Sequence, residues 1–164
     1  MAEDLREFEE WLEHIRGGLS PARRRTLSLR TAQVLRRANL KRIAANVEPD
    51  GDAMAPRKAS RNERGRIRRK AGSRMFRRLR LARSWKIDAD ADGFEITPAS
   101  ASIDRVAAVH HFGETGRVGR LRSGRMIRAK YEARALLGFA QEDRETIFEA
   151  TAELLESDHA FQNS

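Results

Sequence analysis

Apolar residues recur at helical spacing from the start of the chain. Leu5, Phe8, Trp11, Leu12 and Ile15 share one face, with glutamates opposite, which predicts a short amphipathic helix over residues 4–16. Gly17 and Gly18 end it. Ser20 then serves as an N-cap and Pro21 as the first helical residue, where its missing N–H costs nothing. A second helix is predicted from about Pro21 to Asn46, closing an N-terminal helical hairpin. At about 100° per residue, Leu27, Thr31, Val34, Leu35 and Ala38 fall on one side of it. Leu29, Leu40, Ile43 and Val47 fall on nearly the opposite side. Two apolar stripes require cover on both sides. Either the helix is threaded between a sheet and another helix, or the Leu29, Leu40, Ile43, Val47 stripe is a candidate subunit interface.

Pro49-Asp50-Gly51 predicts a turn. Pro56 to Ser73 is almost entirely basic and small, with Ile67 its one large apolar anchor, and reads as a mobile basic arm at about 56–73. Ser73 is placed to cap a third helix to about Ser84, with Met75, Phe76, Leu79 and Ala82 inward. Trp85–Asp90 alternates apolar and polar, Ala91-Asp92-Gly93 carries the Asp-Gly hairpin signal, and Phe94–Thr97 returns to Pro98. Ser102 is expected to cap a helix bearing Ile103, Val106, Ala107 and His110, stopped by Gly113. Residues 113–125 read as a Gly/Arg loop, and the alternation of Ile127, Ala129, Tyr131 and Ala133 predicts a third strand. The last helix is expected over about Gln141–Ser157, with Ile147, Phe148, Thr151, Leu154 and Leu155 inward. The order predicts an α+β fold: a small antiparallel β-sheet packed against several helices, with a long C-terminal helix.

Composition sharpens this picture. A chain of 164 residues is about one domain's worth, so residues 1–164 are expected to form a single domain. With 35% charged residues and 6% aromatic, the core is modest. The absence of cysteine excludes a disulfide scaffold, a thiolate metal site and a cysteine nucleophile. No secretory signal and no apolar run of about 20 residues is present, so assembly in the cytoplasm and no membrane partner are expected. Charge is uneven. Residues 1–20 carry a net −4, residues 21–86 a net +18 and residues 87–164 a net −5. A basic middle of that size faces either nucleic acid or the acidic ends of neighbouring copies.

Reactive chemistry is sparse. Adjacent His110 and His111 point about 100° apart on a helix and do not converge. Glu114 lies beyond the helix-breaking Gly113, and no second ligand cluster exists, so no metal or other cofactor is expected. The glycines from Gly113 to Gly124 lack the Gly-Lys-Ser/Thr ending of a phosphate loop. Glu142 and Asp143 suit the dipole of a helix's first turn rather than acid–base work. No small-molecule substrate and no enzymatic activity are expected. The arm is the serious alternative: Arg57 to Lys86 holds 14 basic residues and one acid, Glu63. Arg64, Arg66, Arg68, Arg69 and Lys70 are its candidate contacts to phosphates, giving a nucleic-acid-binding reading. The arm lacks interleaved aromatics for stacking.

Four segments resemble one family in register. RRANLKRIAANVEPDGDAMAPRK resembles its helix, Pro-Asp-Gly turn and Pro-Arg-Lys end, and RIRRKAGSRMFRRLRLARSWK its basic stretch. IDRVAAVHHFG and YEARALLGFAQEDRETI resemble two further blocks. Matching positions are Arg105, Val109, His110, Phe112 and Gly113, then Tyr131, Arg134, Leu136, Leu137, Gly138 and Phe139. The family is the phage virion morphogenesis, or tail completion protein S, group of contractile-tailed phages. The resemblance implies a structural virion protein, without cofactor, at the head-proximal end of the tail, where it finishes the tail for head joining. Its implied partners are other tail and neck proteins; extending the analogy to tail symmetry adds further copies of itself, in a ring of six. Ala135 and Ala140 depart from the family's usual Pro and Ser; a Ser at 140 would cap the last helix, and losing such a cap typically costs ~1 kcal/mol.

Overall fold

The computed structural model describes residues 19–57, 60–61, 67–69 and 75–162, with Arg6 and Glu10 alone before them. The predicted first helix, the first arm of the N-terminal hairpin, therefore lies outside the described residues apart from those two. The architecture is α+β. In chain order it comprises α1 (Pro21–Ala45), β1 (Ser60–Arg61), β2 (Ile67–Arg69), a 3₁₀ turn (Ala82–Ser84), β3 (Trp85–Ala89), β4 (Phe94–Pro98), α2 (Ala101–His111), β5 (Thr115–Arg120), β6 (Met126–Lys130) and α3 (Gln141–Gln162). The strands form three separate antiparallel hairpins, β1–β2, β3–β4 and β5–β6, where one small sheet was expected.

α1 begins as the sequence dictates: the Ser20 hydroxyl accepts the Arg23 N–H at 3.4 Å and Pro21 follows. It ends at Asn46 in the left-handed region (φ 60°), whose N–H reaches back to the Arg42 and Ile43 carbonyls. α1 packs against α3 and also against β3 and β4, so both of its sides are covered within the chain. Its buried residues are Ala32, Leu35, Asn39 and Ile43. Ile43 is fully enclosed in the core and Leu40 packs on the same cluster. Ile43 therefore presents nothing to a neighbouring copy. Val47 is half-buried and bridges to Ala53, whereas Leu29 stays 41% exposed.

The core joins Ile43, Met54, Met75, Leu79, Trp85, Ala107 and Leu136. Burying aliphatic side chains such as Ile43, Leu79 and Leu136 contributes roughly 1.5–3 kcal/mol each. The expected helix to Ser84 does not form over its described residues. Phe76 takes a left-handed φ of 54°, which stops an α-helix, and turns over Arg77–Arg80 lead into the 3₁₀ turn. The Trp85 indole N–H donates to the Leu79 carbonyl at 2.6 Å and the Ser84 hydroxyl to the Arg78 carbonyl at 2.8 Å, fixing this irregular segment under the core. The β3–β4 hairpin matches its prediction, with Ile87 opposite Ile96. α2 is capped by Ser100 rather than Ser102: the Ser100 hydroxyl accepts the Ile103 N–H at 3.4 Å.

The expected loop over 113–125 contains a strand. β5 pairs with β6, with Arg117 opposite Arg128 and a bulge between Arg117 and Gly119. Glycines at 116 and 119 hid the alternation, because they stand where apolar residues would announce a strand. β6 ends at Lys130, short of the predicted Ala133. α3 runs past the predicted Ser157 to Gln162. No helix among the described residues is long and apolar enough to cross a membrane.

Candidate functional site: a tied strap and an open basic hairpin

Residues 131–140 form an irregular strap between β6 and α3, and polar ties bind it to the rest of the chain. Tyr131 N–H donates to the Glu114 carbonyl at 3.2 Å and Arg134 N–H to the His110 carbonyl at 2.8 Å. Leu136 N–H donates to Nδ1 of His111 at 3.1 Å, which fixes that ring's acceptor nitrogen inward. Gly138 N–H donates to Oδ1 of Asn39 at 3.0 Å, while the Asn39 amide donates to the Leu35 carbonyl at 2.9 Å. Asn39 is a polar residue 2% exposed on the buried face of α1, and this bond to the strap is why it is there.

Arg134 is 5% exposed. Its guanidinium donates to three carbonyls, those of Ala55 (2.7 Å), Glu132 (3.1 Å) and Pro56 (3.4 Å). It thereby clamps the strap to the segment leading into the basic arm. Burial lowers its pKa, partly offset by the carboxylates of Glu132 and Glu48; an arginine stays charged regardless. His110 sits edge-on between Phe76 (5.1 Å between ring centres) and Tyr131 (4.8 Å). Burial, then the charges of Arg134 and Arg57, lowers its pKa, so it packs as a neutral ring.

Close approach explains two glycines. A Cβ at Gly138 would lie 2.6 Å from Cγ of Pro49. A Cβ at Gly113 would lie 2.8 Å from the Ala133 backbone nitrogen, at a φ of +68° that already favours glycine. Beyond Gly138, Arg42 grips the strap and α3 together. It donates to both carboxylate oxygens of Asp143, at 2.9 and 2.8 Å, and to the Gly138 carbonyl at 3.3 Å. Asp143 also accepts the Ala140 N–H at 2.8 Å, the reciprocal half of a capping box. That bond offsets the missing hydroxyl at Ala140. Asp143 is therefore a buried tie as well as a dipole complement, which its pairing with Glu142 in the sequence did not reveal.

The motif positions thus gather at one junction, with three of them exposed. Leu136 is core, Leu137 packs against it and Val109 is half-buried. Arg105 is exposed, Phe112 is 69% exposed and Phe139 51%. Phe112 rims an open apolar groove of about 270 Å³ floored by Trp85, Pro98, Ala107, Ala108 and Leu136. Among the described residues no three His, Asp or Glu side chains converge as metal ligands would.

The second surface is the β5–β6 hairpin. All residues from Arg120 to Lys130 are exposed. The register places Arg117 opposite Arg128, Lys130 opposite Thr115 and Arg120 opposite Met126, all on one face. Arg122 and Arg125 lie in the turn. Of the arm candidates, Arg64, Arg66 and Lys70 lie outside the described residues, and Arg68 and Arg69 fall in β2, described by backbone pairing alone.

Comparison with known proteins bears on the whole length. The profile of the phage virion morphogenesis family matches residues 3–156. The chain is 35% identical over 150 residues to the tail completion protein S of Escherichia phage P2, covering 89% of this chain and 93% of that protein. No solved structure matches. The four motif blocks that the strap junction brings together are thus part of a match that runs almost end to end, and the chain belongs to the phage virion morphogenesis family.

Proposed function

We propose that this chain is a structural protein of the virion that completes a phage tail so that a filled head can join it. It acts as a ring of copies at the head-proximal end, in contact with other tail and neck proteins, and carries out no enzymatic reaction. The observation that carries the reading is the 35% identity to a tail completion protein over nearly the full length of both chains. The geometry supports it: the matched motif residues hold the chain's own segments together, through Arg134, Gly113 and Gly138, rather than lining a reactive cleft. Reconstitution tests it. An extract containing filled heads and tails made without this protein is given the purified chain, and joined particles are counted. Joining restored in proportion to added protein is expected; no restoration by folded protein would remove the reading.

A further inference from the structure

The β5–β6 hairpin is built against its own stability. A lone two-stranded hairpin is marginal in water. This one also sets Arg117 directly across from Arg128, where like charges repel. Its basic face carries Arg117, Arg120, Arg128 and Lys130 over a paired length of roughly 13–17 Å. All four side chains are exposed, Arg120 donating from Nε to the Gly124 carbonyl of its own turn at 2.9 Å. A face of this kind gains stability when an anionic surface of similar length covers it.

The chain carries such a surface on another element. α3 is buried along Asp143, Ile147 and Thr151. Glu142, Glu145, Glu149 and Glu153 recur at i, i+3, i+7 and i+11, which places them on one outer face, and all four are exposed. From Glu142 to Glu153 the helix rises about 16 Å. Four carboxylates therefore match four cations in number and in reach. Apolar groups accompany both: Phe148, 48% exposed, flanks the stripe, and Leu121 and Met126, 48% and 42% exposed, sit at the hairpin's far end. A phosphate backbone would satisfy the cations and leave those apolar groups in water.

We propose that the basic face of the β5–β6 hairpin in one copy docks on the glutamate stripe of α3 in a second copy. This contact deepens the ring reading above and rests on it. The two surfaces are different patches of one chain, so the contact is head-to-tail and propagates from copy to copy, closing into a ring where the rotation permits.

The test uses the full chain and paired charge reversals at exposed positions. Sedimentation velocity is run on the wild type, on Arg117→Glu/Arg128→Glu and on Glu145→Arg/Glu149→Arg, with circular dichroism to verify folding. Each double variant is expected to self-associate at least roughly tenfold more weakly than wild type, because like charges then face each other. An equal mixture of the two variants is expected to regain association, since each offers the other a complementary face. Association unchanged by either reversal, a mixture that stays dissociated, or a wild type that remains monomeric at high concentration would overturn the contact. So would a hairpin reversal that abolishes duplex DNA binding while leaving association intact. The assay contains no heads or tails, so failure of the contact leaves the tail-completion reading to its own reconstitution test.

Discussion

The strap junction and the β5–β6 hairpin are adjacent in sequence and opposite in design. In the junction, Arg134 is 5% exposed and spends its guanidinium on three carbonyls, and Gly138 lies too close to Pro49 for any side chain. In the hairpin, arginine faces arginine and every residue from Arg120 to Lys130 lies open. The same residue type is a structural clamp in one region and a solvent-exposed surface in the other. Burial and partners separate the two, which composition does not reveal. The junction's polar groups are taken up within this chain, whereas most of the hairpin's charges lie open to solvent.

Four experiments sharpen or break that division. The largest effect is expected at Arg42. Arg42→Ala strands the Asp143 carboxylate, whose side chain is 4% exposed, and is expected to lower stability by about 3–5 kcal/mol in urea unfolding. A loss below ~1 kcal/mol would show that the tie is solvated and the junction loose. Gly138→Ala comes next. Its Cβ would meet Pro49 Cγ at 2.6 Å, an overpacking expected to cost about 1–3 kcal/mol by the same measurement.

The hairpin responds with the opposite sign. Arg128→Glu turns the repulsive pair with Arg117 into an attractive one and is expected to stabilise the isolated chain by roughly 0.2–1 kcal/mol while weakening self-association. Destabilisation would mean that the hairpin is built for the free chain. The smallest effect is a pH dependence at His110, held below its ordinary 6.5 by burial and then by Arg134 and Arg57. The unfolded chain takes up this proton more readily than the folded one. The contribution of neutral His110 is therefore full above pH 6.5 and is lost as pH falls through the folded value. Stability curves of His110→Gln are expected to be flatter than wild type in that window.

Much of the fold was legible because its signals are local. Ser20-Pro21 and Asp92-Gly93 marked a helix start and a hairpin from adjacent residues, and the structure places both there. The two apolar stripes of α1 left open whether a neighbour or the chain itself covers them; α1 packs on α3, β3 and β4, while Leu29 of the second stripe stays exposed. What was not legible depends on distant partners. The helix expected to Ser84 gave way to turns because Phe76 is left-handed and Trp85 and Ser84 bond the carbonyls of Leu79 and Arg78. β5 was missed because glycines replaced the apolar half of its alternation. Asp143 read only as a dipole complement until Arg42, 101 residues away, came beside it, and the role of Asn39 depends on Gly138, 99 residues away. The family's motif positions were found by resemblance, and the folded chain gives several of them a shared purpose at the strap.

The most direct test of the central claim is removal of the protein from the element that encodes it, followed by electron microscopy of the lysate. Filled heads beside tails that are unjoined or abnormally ended, with joining restored by the wild-type chain, is the result expected. Normal infectious particles in its absence would contradict the account.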